Sequence, residues 1–123
     1  MKNAISWFEI PVSDFARAKK FYEAIYDAEV QEMDMDGTKY GMLPFDNDQE
    51  GVGGGLIKSD HEKPSTSGVL IYLNGGEDLS VPLAKVEENG GKILVPKTNI
   101  GPNGFMAQIL DTEGNRVALH SFK

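Results

Sequence analysis

Few side chains of this 123-residue chain could do acid–base or nucleophilic chemistry. There is no cysteine, which excludes thiolate catalysis, thiolate metal sites and disulfides. The two histidines are His61, in a polar stretch where it is expected to be solvated, and His120, in the last apolar run. Glu9 lies in the first such run. A glutamate and a histidine on strands that line one cavity could form an acid–base pair, the histidine stabilising the ionised carboxylate.

Two other chemical motifs have no support in the chain. The glycine run at residues 53–55 lacks the lysine and the helix start that follow a phosphate-binding loop. A strand without side chains instead offers room for the close approach of a ligand or of a neighbouring backbone. No Gly-x-Ser-x-Gly sequence is present, so a serine nucleophile is not indicated.

Composition favours one compact domain over residues 1–123, with enough apolar residues (40%) for a core. The net charge is −7 and the twelve basic residues are scattered, which makes nucleic acid and anionic membranes poor partners. The beginning of the chain has no long apolar run of the signal or membrane-spanning type. We therefore expect a cytoplasmic protein.

The pattern of elements repeats along the chain and would position these side chains. A strand at residues 5–12 leads into a helix that opens at Asp14, with Ser13 or Asp14 as its cap, and Asp78 opens a second helix 64 residues later. The late position of Pro82 predicts that this second helix begins a residue or two after Asp78 or is kinked. The apolar positions expected to face the core are Phe15, Ala18, Phe21, Tyr22 and Ile25 in the first helix and Leu79, Leu83 and Val86 in the second.

Three strands are predicted after each helix, at residues 28–34, 38–45, 51–58, 92–97, 105–110 and 116–122. A strand at residues 69–73 opens the second half. Turns are expected at Asp36-Gly37, at residues 89–91 and at Gly114. The chain thus predicts an α+β fold of two tandem βαβββ modules, at about residues 1–59 and 68–123, with a polar connector at about 59–67. The alternative is an α+β domain whose elements repeat without duplication.

Three stretches in this order and spacing resemble the vicinal oxygen chelate superfamily, the group of glyoxalases, bleomycin resistance proteins and extradiol dioxygenases. They are Trp7-Phe-Glu-Ile-Pro-Val-Ser-Asp14 running into Ala18-Lys-Lys-Phe-Tyr22, Lys85-Val-Glu-Glu-Asn-Gly-Gly91 followed by Ile93-Leu-Val-Pro96, and Asp111-Thr-Glu-Gly-Asn115 with Val117 and Leu119. The resemblance implies a glyoxalase-like domain whose curved mixed sheets wrap a central pocket. It also implies a homodimer, with modules either self-contained or exchanged between the two chains.

Metal-dependent members of that family place a histidine on the first strand of each module and a carboxylate on the last, where they hold a divalent ion. Carried onto this chain, the first position falls on Trp7 and the last on Ala118, with Gly54 as its partner at the 64-residue offset. The strand at residues 68–74 holds no histidine or carboxylate. No metal is therefore expected at the usual positions, and no cofactor is expected.

Side chains two residues apart share a strand face, so Glu9 accompanies Trp7 and His120 accompanies Ala118. Both are candidates for the acid–base pair, or for a displaced metal site that two ligands would make weak. The structural alternative is that Glu9 is a buried carboxylate bonded to a backbone or hydroxyl group, and that His120 lies near a fraying terminus. Predicted pocket-lining residues are Trp7, Tyr40, Met42, Gly54, Tyr72, Met106, Gln108 and Ala118.

Such an aromatic and thioether lining suits a flat or apolar organic ligand, although ordinary core packing uses the same residue types. Three functions remain open. The first is metal-independent binding of a small organic molecule. The second is a lyase or isomerase acting on a small carbonyl compound through Glu9 and His120, with or without a displaced divalent metal. The third is an interaction module whose pocket is closed.

Overall fold

A computed structural model of the chain describes residues 2–35 and 37–123. The chain divides into two compact units, Met1–Pro64 and Ser65–Lys123. Each unit carries one four-stranded mixed sheet and one α-helix in the order βαβββ, which confirms the predicted α+β fold of two modules. No helix in the described part of the chain has both the length and the apolar character needed to cross a membrane.

Unit 1 has the strand order β1-β4-β3-β2, in which only the pairing of β1 with β4 is parallel. Its elements are β1 (Trp7–Pro11), α1 (Phe15–Tyr26), β2 (Gln31–Met35), β3 (Thr38–Met42), a 3-10 turn (Asn47–Gln49) and β4 (Gly53–Lys58). All four predicted strands of this half are present, with shifted or shortened ends. In the predicted turn, Gly37 has the positive φ of 80° that suits glycine, while Asp36 lies outside the described residues.

Helix α1 begins and packs as its sequence predicts. The Asp14 side chain lies at the N-cap, and its Oδ1 accepts a hydrogen bond from the backbone N–H of Arg17 at 3.1 Å. The five apolar positions predicted to face the core are all buried. The helix ends at Asp27, which takes the left-handed conformation with φ of 53°.

Replacing Asp14 by alanine removes the cap acceptor of α1. We expect the free energy of unfolding to fall by about 1 kcal/mol, as for other N-cap deletions. Urea denaturation followed by circular dichroism measures the change. Asp14→Ser keeps a capping oxygen and should retain most of the stability, so an equal loss in both variants would contradict a capping role.

Unit 2 repeats the topology with the strand order β5-β8-β7-β6, in which β5 and β8 are parallel. Its elements are β5 (Tyr72–Asn74), α2 (Ser80–Leu83), a 3-10 turn (Glu87–Asn89), β6 (Lys92–Asn99), a second 3-10 turn (Gly101–Asn103), β7 (Phe105–Leu110) and β8 (Arg116–Ser121). The predicted first strand at residues 69–73 was placed too early. Val69 is 89% exposed and the pairing with β8 begins only at Tyr72.

Helix α2 begins two residues after Asp78, as the position of Pro82 predicts, and has only one turn. Pro82 has no backbone N–H. The N–H groups of Leu83 and Ala84 still make α-helical bonds to Leu79 and Ser80, and the bonds of Lys85 to Pro82 and of Val86 to Leu83 are of the shorter 3-10 type. Asp78 instead accepts from the backbone N–H of Ser80 and pairs with Lys97 at 2.9 Å. The hydrogen bond from Lys97, followed by that from Ser80, lowers the pKa of Asp78 to about 2.

A buried carboxylate holds the hairpin loop between β7 and β8. Asp111 is only 3% exposed, and its Oδ1 accepts from the backbone N–H groups of Glu113 and Asn115, both at 2.8 Å. Its Oδ2 accepts from Asn115 Nδ2 at 3.0 Å, and Asn115 Oδ1 accepts from the N–H of Ser65 at 3.1 Å. Gly114 has the predicted positive φ, at 92°. The Asp111 motif therefore closes the loop and ties it to the start of unit 2.

Each sheet has a buried face and an opposite face, which we call its open face. In unit 1, Ile10 and Leu56 are buried, and Gly41 lies against Phe15 of α1, so these positions mark the buried face. Alternation along the strands then directs Trp7 and Glu9 to the open face. In unit 2 the buried face is formed by Leu73, Ala107, Ile109, Val117 and Leu119.

Candidate functional site

The open face of unit 1 brings together residues from three strands. Trp7 pairs with Gly53, and Glu9 pairs with Gly55, which in turn pairs with Met42 of β3. Tyr40 lies two residues before Met42 and therefore shares its face. Four side chains named from the sequence, Trp7, Glu9, Tyr40 and Met42, thus share one face of one sheet.

Hydrogen bonds link three of these side chains through the hydroxyl group of Tyr40. The indole Nε1–H of Trp7 donates to Tyr40 Oη at 2.6 Å, and the phenol in turn is hydrogen-bonded to the Glu9 carboxylate. Burial raises the pKa of Tyr40, and the hydrogen bond to Glu9 and its charge act in the same direction. Because the carboxylate can only accept, the phenol is its donor. Indole, phenol and carboxylate therefore form one hydrogen-bonded series, called here the relay, that is joined through the Tyr40 hydroxyl group.

Trp7 remains accessible within this relay. It is 36% exposed, whereas Tyr40 is only 6% exposed. The ring of Phe45, a residue that sequence analysis did not single out, packs edge-on against Trp7 with ring centroids 5.5 Å apart. The open face of unit 1 therefore presents an aromatic surface held from below by a buried tyrosine.

Aromatic rings of the chain itself occupy the space beside the glycine run of β4. The sequence predicts that this space could admit a ligand or a neighbouring backbone. A Cβ atom at Gly53, Gly54 or Gly55 would come within 3.0 Å of Phe45, Phe8 or Tyr40, respectively. Phe8 lies on the buried face, so the side-chain direction of Gly54 is opposite to that of Trp7 and Glu9. These glycines admit close packing of aromatic side chains on both faces of the strand.

The open face of unit 2 carries the other residues named from the sequence. Tyr72 pairs with Ala118, which pairs with Gln108, and His120 pairs with both Asn74 and Met106. Tyr72 is 52% exposed, whereas Ala118 is buried. Gln108, Met106 and His120 are half-buried.

His120 has a defined hydrogen bond within unit 2. Its Nε2 lies 2.7 Å from the backbone carbonyl oxygen of Asn103. Since a carbonyl can only accept, Nε2 carries the proton, and Nδ1 is the nitrogen that could accept one. The imidazole packs edge-on against Phe122, with centroids 4.9 Å apart. Its pairing as acid and base with Glu9, which belongs to unit 1, stays a prediction.

Arg116 also lies on the open face of unit 2 and was missed from the sequence. It lies two residues before Ala118 on β8, as His120 lies two residues after it. Alternation along the strand therefore places both side chains on the face of Ala118. Its Nε donates to the carbonyl oxygen of Thr66 and its Nη1 to Gln108 Oε1, both at 3.1 Å.

Strand pairing corrects one of the positions carried over from the family pattern. Gly54 points to the buried face and Ala118 to the open face, so the two cannot be equivalent, because a shift of one residue reverses the face. Gly53 pairs with Trp7 as Ala118 pairs with Tyr72, and an offset of 65 residues superimposes both pairs. The four positions then hold indole, hydrogen, phenol and methyl groups in place of imidazole and carboxylate.

This donor set does not fit a divalent ion, which prefers carboxylate oxygen or imidazole nitrogen. Across residues 2–35 and 37–123, no three histidine, aspartate or glutamate side chains lie close enough together to hold a metal. The expectation that no metal occupies the usual positions stays a prediction.

Comparisons with known proteins match nearly the whole chain. The family model of the Glyoxalase/Bleomycin resistance protein/Dioxygenase superfamily matches residues 4–119. A glyoxylase-like domain-containing protein of Didymella fabae is 33% identical over 122 residues, covering 94% of this chain and 91% of that protein.

Two solved structures share the fold. A glyoxalase/bleomycin resistance protein from Albidiferax ferrireducens T118 has a TM-score of 0.73 at 16% identity, over 95% of this chain and 97% of that one. The fosfomycin resistance protein FosX from Mesorhizobium loti has a TM-score of 0.63 at 16% identity, over 100% and 95%. At these identities the likeness concerns the fold alone.

Proposed function

Since the chain belongs to the Glyoxalase/Bleomycin resistance protein/Dioxygenase superfamily, we propose that it binds a small, flat organic molecule on the open face of unit 1. The Trp7–Tyr40–Glu9 relay carries this proposal. A tryptophan that is 36% exposed and fixed by a 2.6 Å hydrogen bond offers a rigid aromatic surface. Rigidity favours binding because little side-chain freedom is lost when the ligand arrives.

The relay also supplies polar specificity at the edge of the aromatic surface. The Glu9 carboxylate accepts from Tyr40 and has further lone pairs that face solvent, so it can accept from an N–H or O–H of the ligand. Met42 beside it offers a polarisable surface that adapts to the ligand shape. A ligand with a flat apolar body and one donor group at its edge fits this arrangement.

Binding is proposed to need no metal at the positions used by metal-dependent relatives. The side chains of Trp7, Tyr72 and Ala118, with Gly53, support this because they offer no imidazole or carboxylate there. A homodimer and a cytoplasmic location, both expected from the sequence, belong to the same proposal.

The alternative is a lyase or isomerase acting on a small carbonyl compound, with Glu9 and His120 as acid and base. One observation favours it. Nε2 of His120 is held by the carbonyl oxygen of Asn103, which leaves Nδ1 as the acceptor of a proton from a substrate. In this reading Glu9, held by Tyr40, exchanges the second proton.

Trp7 is the only tryptophan of the chain, so its fluorescence reports on the open face of unit 1 directly. We expect a flat heteroaromatic probe such as 2-aminoquinoline to change this emission saturably. Tyr40→Phe removes the hydroxyl group that bonds Trp7 and Glu9, and should weaken binding about five- to tenfold, the effect of one hydrogen bond.

Tyr26→Phe is the matched control, because it removes the same atom from a tyrosine of α1. It should leave the dissociation constant unchanged. Loss of binding in both variants, or saturable binding that leaves the Trp7 emission unchanged, would argue against the proposed surface. A screen of carbonyl compounds for turnover, repeated with Glu9→Gln and His120→Ala, separates the enzyme alternative from binding alone.

A further inference from the structure

The guanidinium group of Arg116 is held in place without being neutralised. Its Nε donates to the carbonyl oxygen of Thr66 and its Nη1 donates to the amide oxygen of Gln108. Among residues 2–35 and 37–123, Arg116 forms no ion pair with a carboxylate. Two neutral acceptors therefore orient the guanidinium group, and neither of them neutralises its positive charge.

The same contacts leave hydrogen-bond donors pointing elsewhere. Arginine only donates, so Gln108 must turn its oxygen toward Arg116, and its NH₂ group faces away from that contact. Nη2 of Arg116 makes no hydrogen bond to any described residue. The charged Nη2–H₂ group of Arg116 and the neutral Nε2–H₂ group of Gln108 are thus available to a ligand. Both side chains are half-buried and adjacent.

The surroundings of these donors are apolar and aromatic. Gln108, Ala118 and Tyr72 lie side by side across three neighbouring strands, and Arg116 precedes Ala118 on the same face. The methyl group of Ala118 is fully buried between its neighbours, whereas Tyr72 is 52% exposed. A ring or short apolar chain can therefore lie against the exposed Tyr72 ring while its polar end reaches Arg116.

We propose that the open face of unit 2 is a binding site for an organic acid. The carboxylate of the ligand accepts from Arg116 and Gln108, and its apolar body lies against Tyr72. This site goes beyond the proposed function, because it uses other side chains and would bind an anion. In a chain of net charge −7, an anion needs such a local cation to be attracted.

The test compares two probes of the same shape, 2-naphthoate and its neutral amide 2-naphthamide, by isothermal titration calorimetry. The natural chain should prefer the acid by roughly tenfold or more, the gain of a charge-assisted hydrogen bond. Arg116→Gln should abolish that preference, and Lys20→Gln, an equal charge change at an exposed position of α1, should keep it.

Gln108→Glu guards against misfolding of the first variant, since it keeps Arg116 and its contact with Thr66. The new carboxylate would occupy Arg116 and repel the ligand, so the acid preference should disappear while the melting temperature holds. Equal affinity for acid and amide in the natural chain, no binding of either probe, or an acid preference that survives both substitutions would each overturn the proposal. A missing Trp7 fluorescence response would contradict the proposed binding on the open face of unit 1, and it would not bear on the acid site of unit 2.

Discussion

Asp111→Ala is expected to lower the free energy of unfolding by about 3 kcal/mol, because it leaves buried donors without their acceptor. The carboxylate accepts two backbone N–H groups and the Asn115 amide, and it is 3% exposed. Asn115 also binds the N–H of Ser65, so the loss should spread to the first residues of unit 2. Urea denaturation measures the loss, and hydrogen exchange at Ser65 and Asn115 locates it.

Two further variants define the origin of that effect. Asp111→Asn keeps one acceptor oxygen but places its NH₂ group against another donor. Its free energy of unfolding should therefore lie between those of Asp111→Ala and the natural chain. Asp60→Ala removes an exposed carboxylate from the connector and should change stability by less than about 0.5 kcal/mol. A loss for Asp111→Ala no larger than for Asp60→Ala would mean that water replaces the carboxylate without cost.

Gly55→Val should disrupt the open face of unit 1 by overpacking. Even a Cβ atom at this position would come within 3.0 Å of the Tyr40 ring, which is nearly buried and cannot move aside freely. We expect a loss of about 2 kcal/mol in stability, typical of overpacking. Displacing Tyr40 also breaks its hydrogen bond to Trp7, so the probe response of Trp7 fluorescence should be lost.

A double-mutant cycle tests whether the ring is the cause. Tyr40→Ala alone leaves a cavity, and valine at position 55 would fill part of it. The loss in free energy of unfolding of the double variant should therefore be smaller than the sum of the two single losses, by roughly 1 kcal/mol or more. Strict additivity would show that Gly55→Val acts through the backbone of β4 and not through Tyr40.

The sequence was most informative where the signal is local. The carboxylate of Asp14, the apolar periodicity after it and the missing N–H of Pro82 act over one or two turns, and each predicted the observed structure. Strand alternation likewise placed Trp7 and Glu9 on one face. The family resemblance then implied one curved mixed sheet in each module, and the order of strands within each sheet is known only from the structure.

Contacts between distant residues were not predictable in the same way. The bond between Trp7 and Tyr40 depends on the registers of β1, β4 and β3 together, and a slip of one residue would separate them. The same sensitivity explains why a uniform offset of 64 matched Gly54 to Ala118 although their side-chain directions are opposite. Arg116 was missed for another reason, since alternation from Ala118 was followed only toward the chain terminus.

The packing of Phe45 over Gly53 determines what a side chain at position 53 would require. Gly53 occupies the position where metal-dependent relatives carry a carboxylate. A glutamate arriving there first would collide with the Phe45 ring and lose stability before it could gain a ligand role. A smaller residue at position 45 would make room for it. A single substitution of Gly53 is therefore not enough to place a carboxylate on this face of the strand.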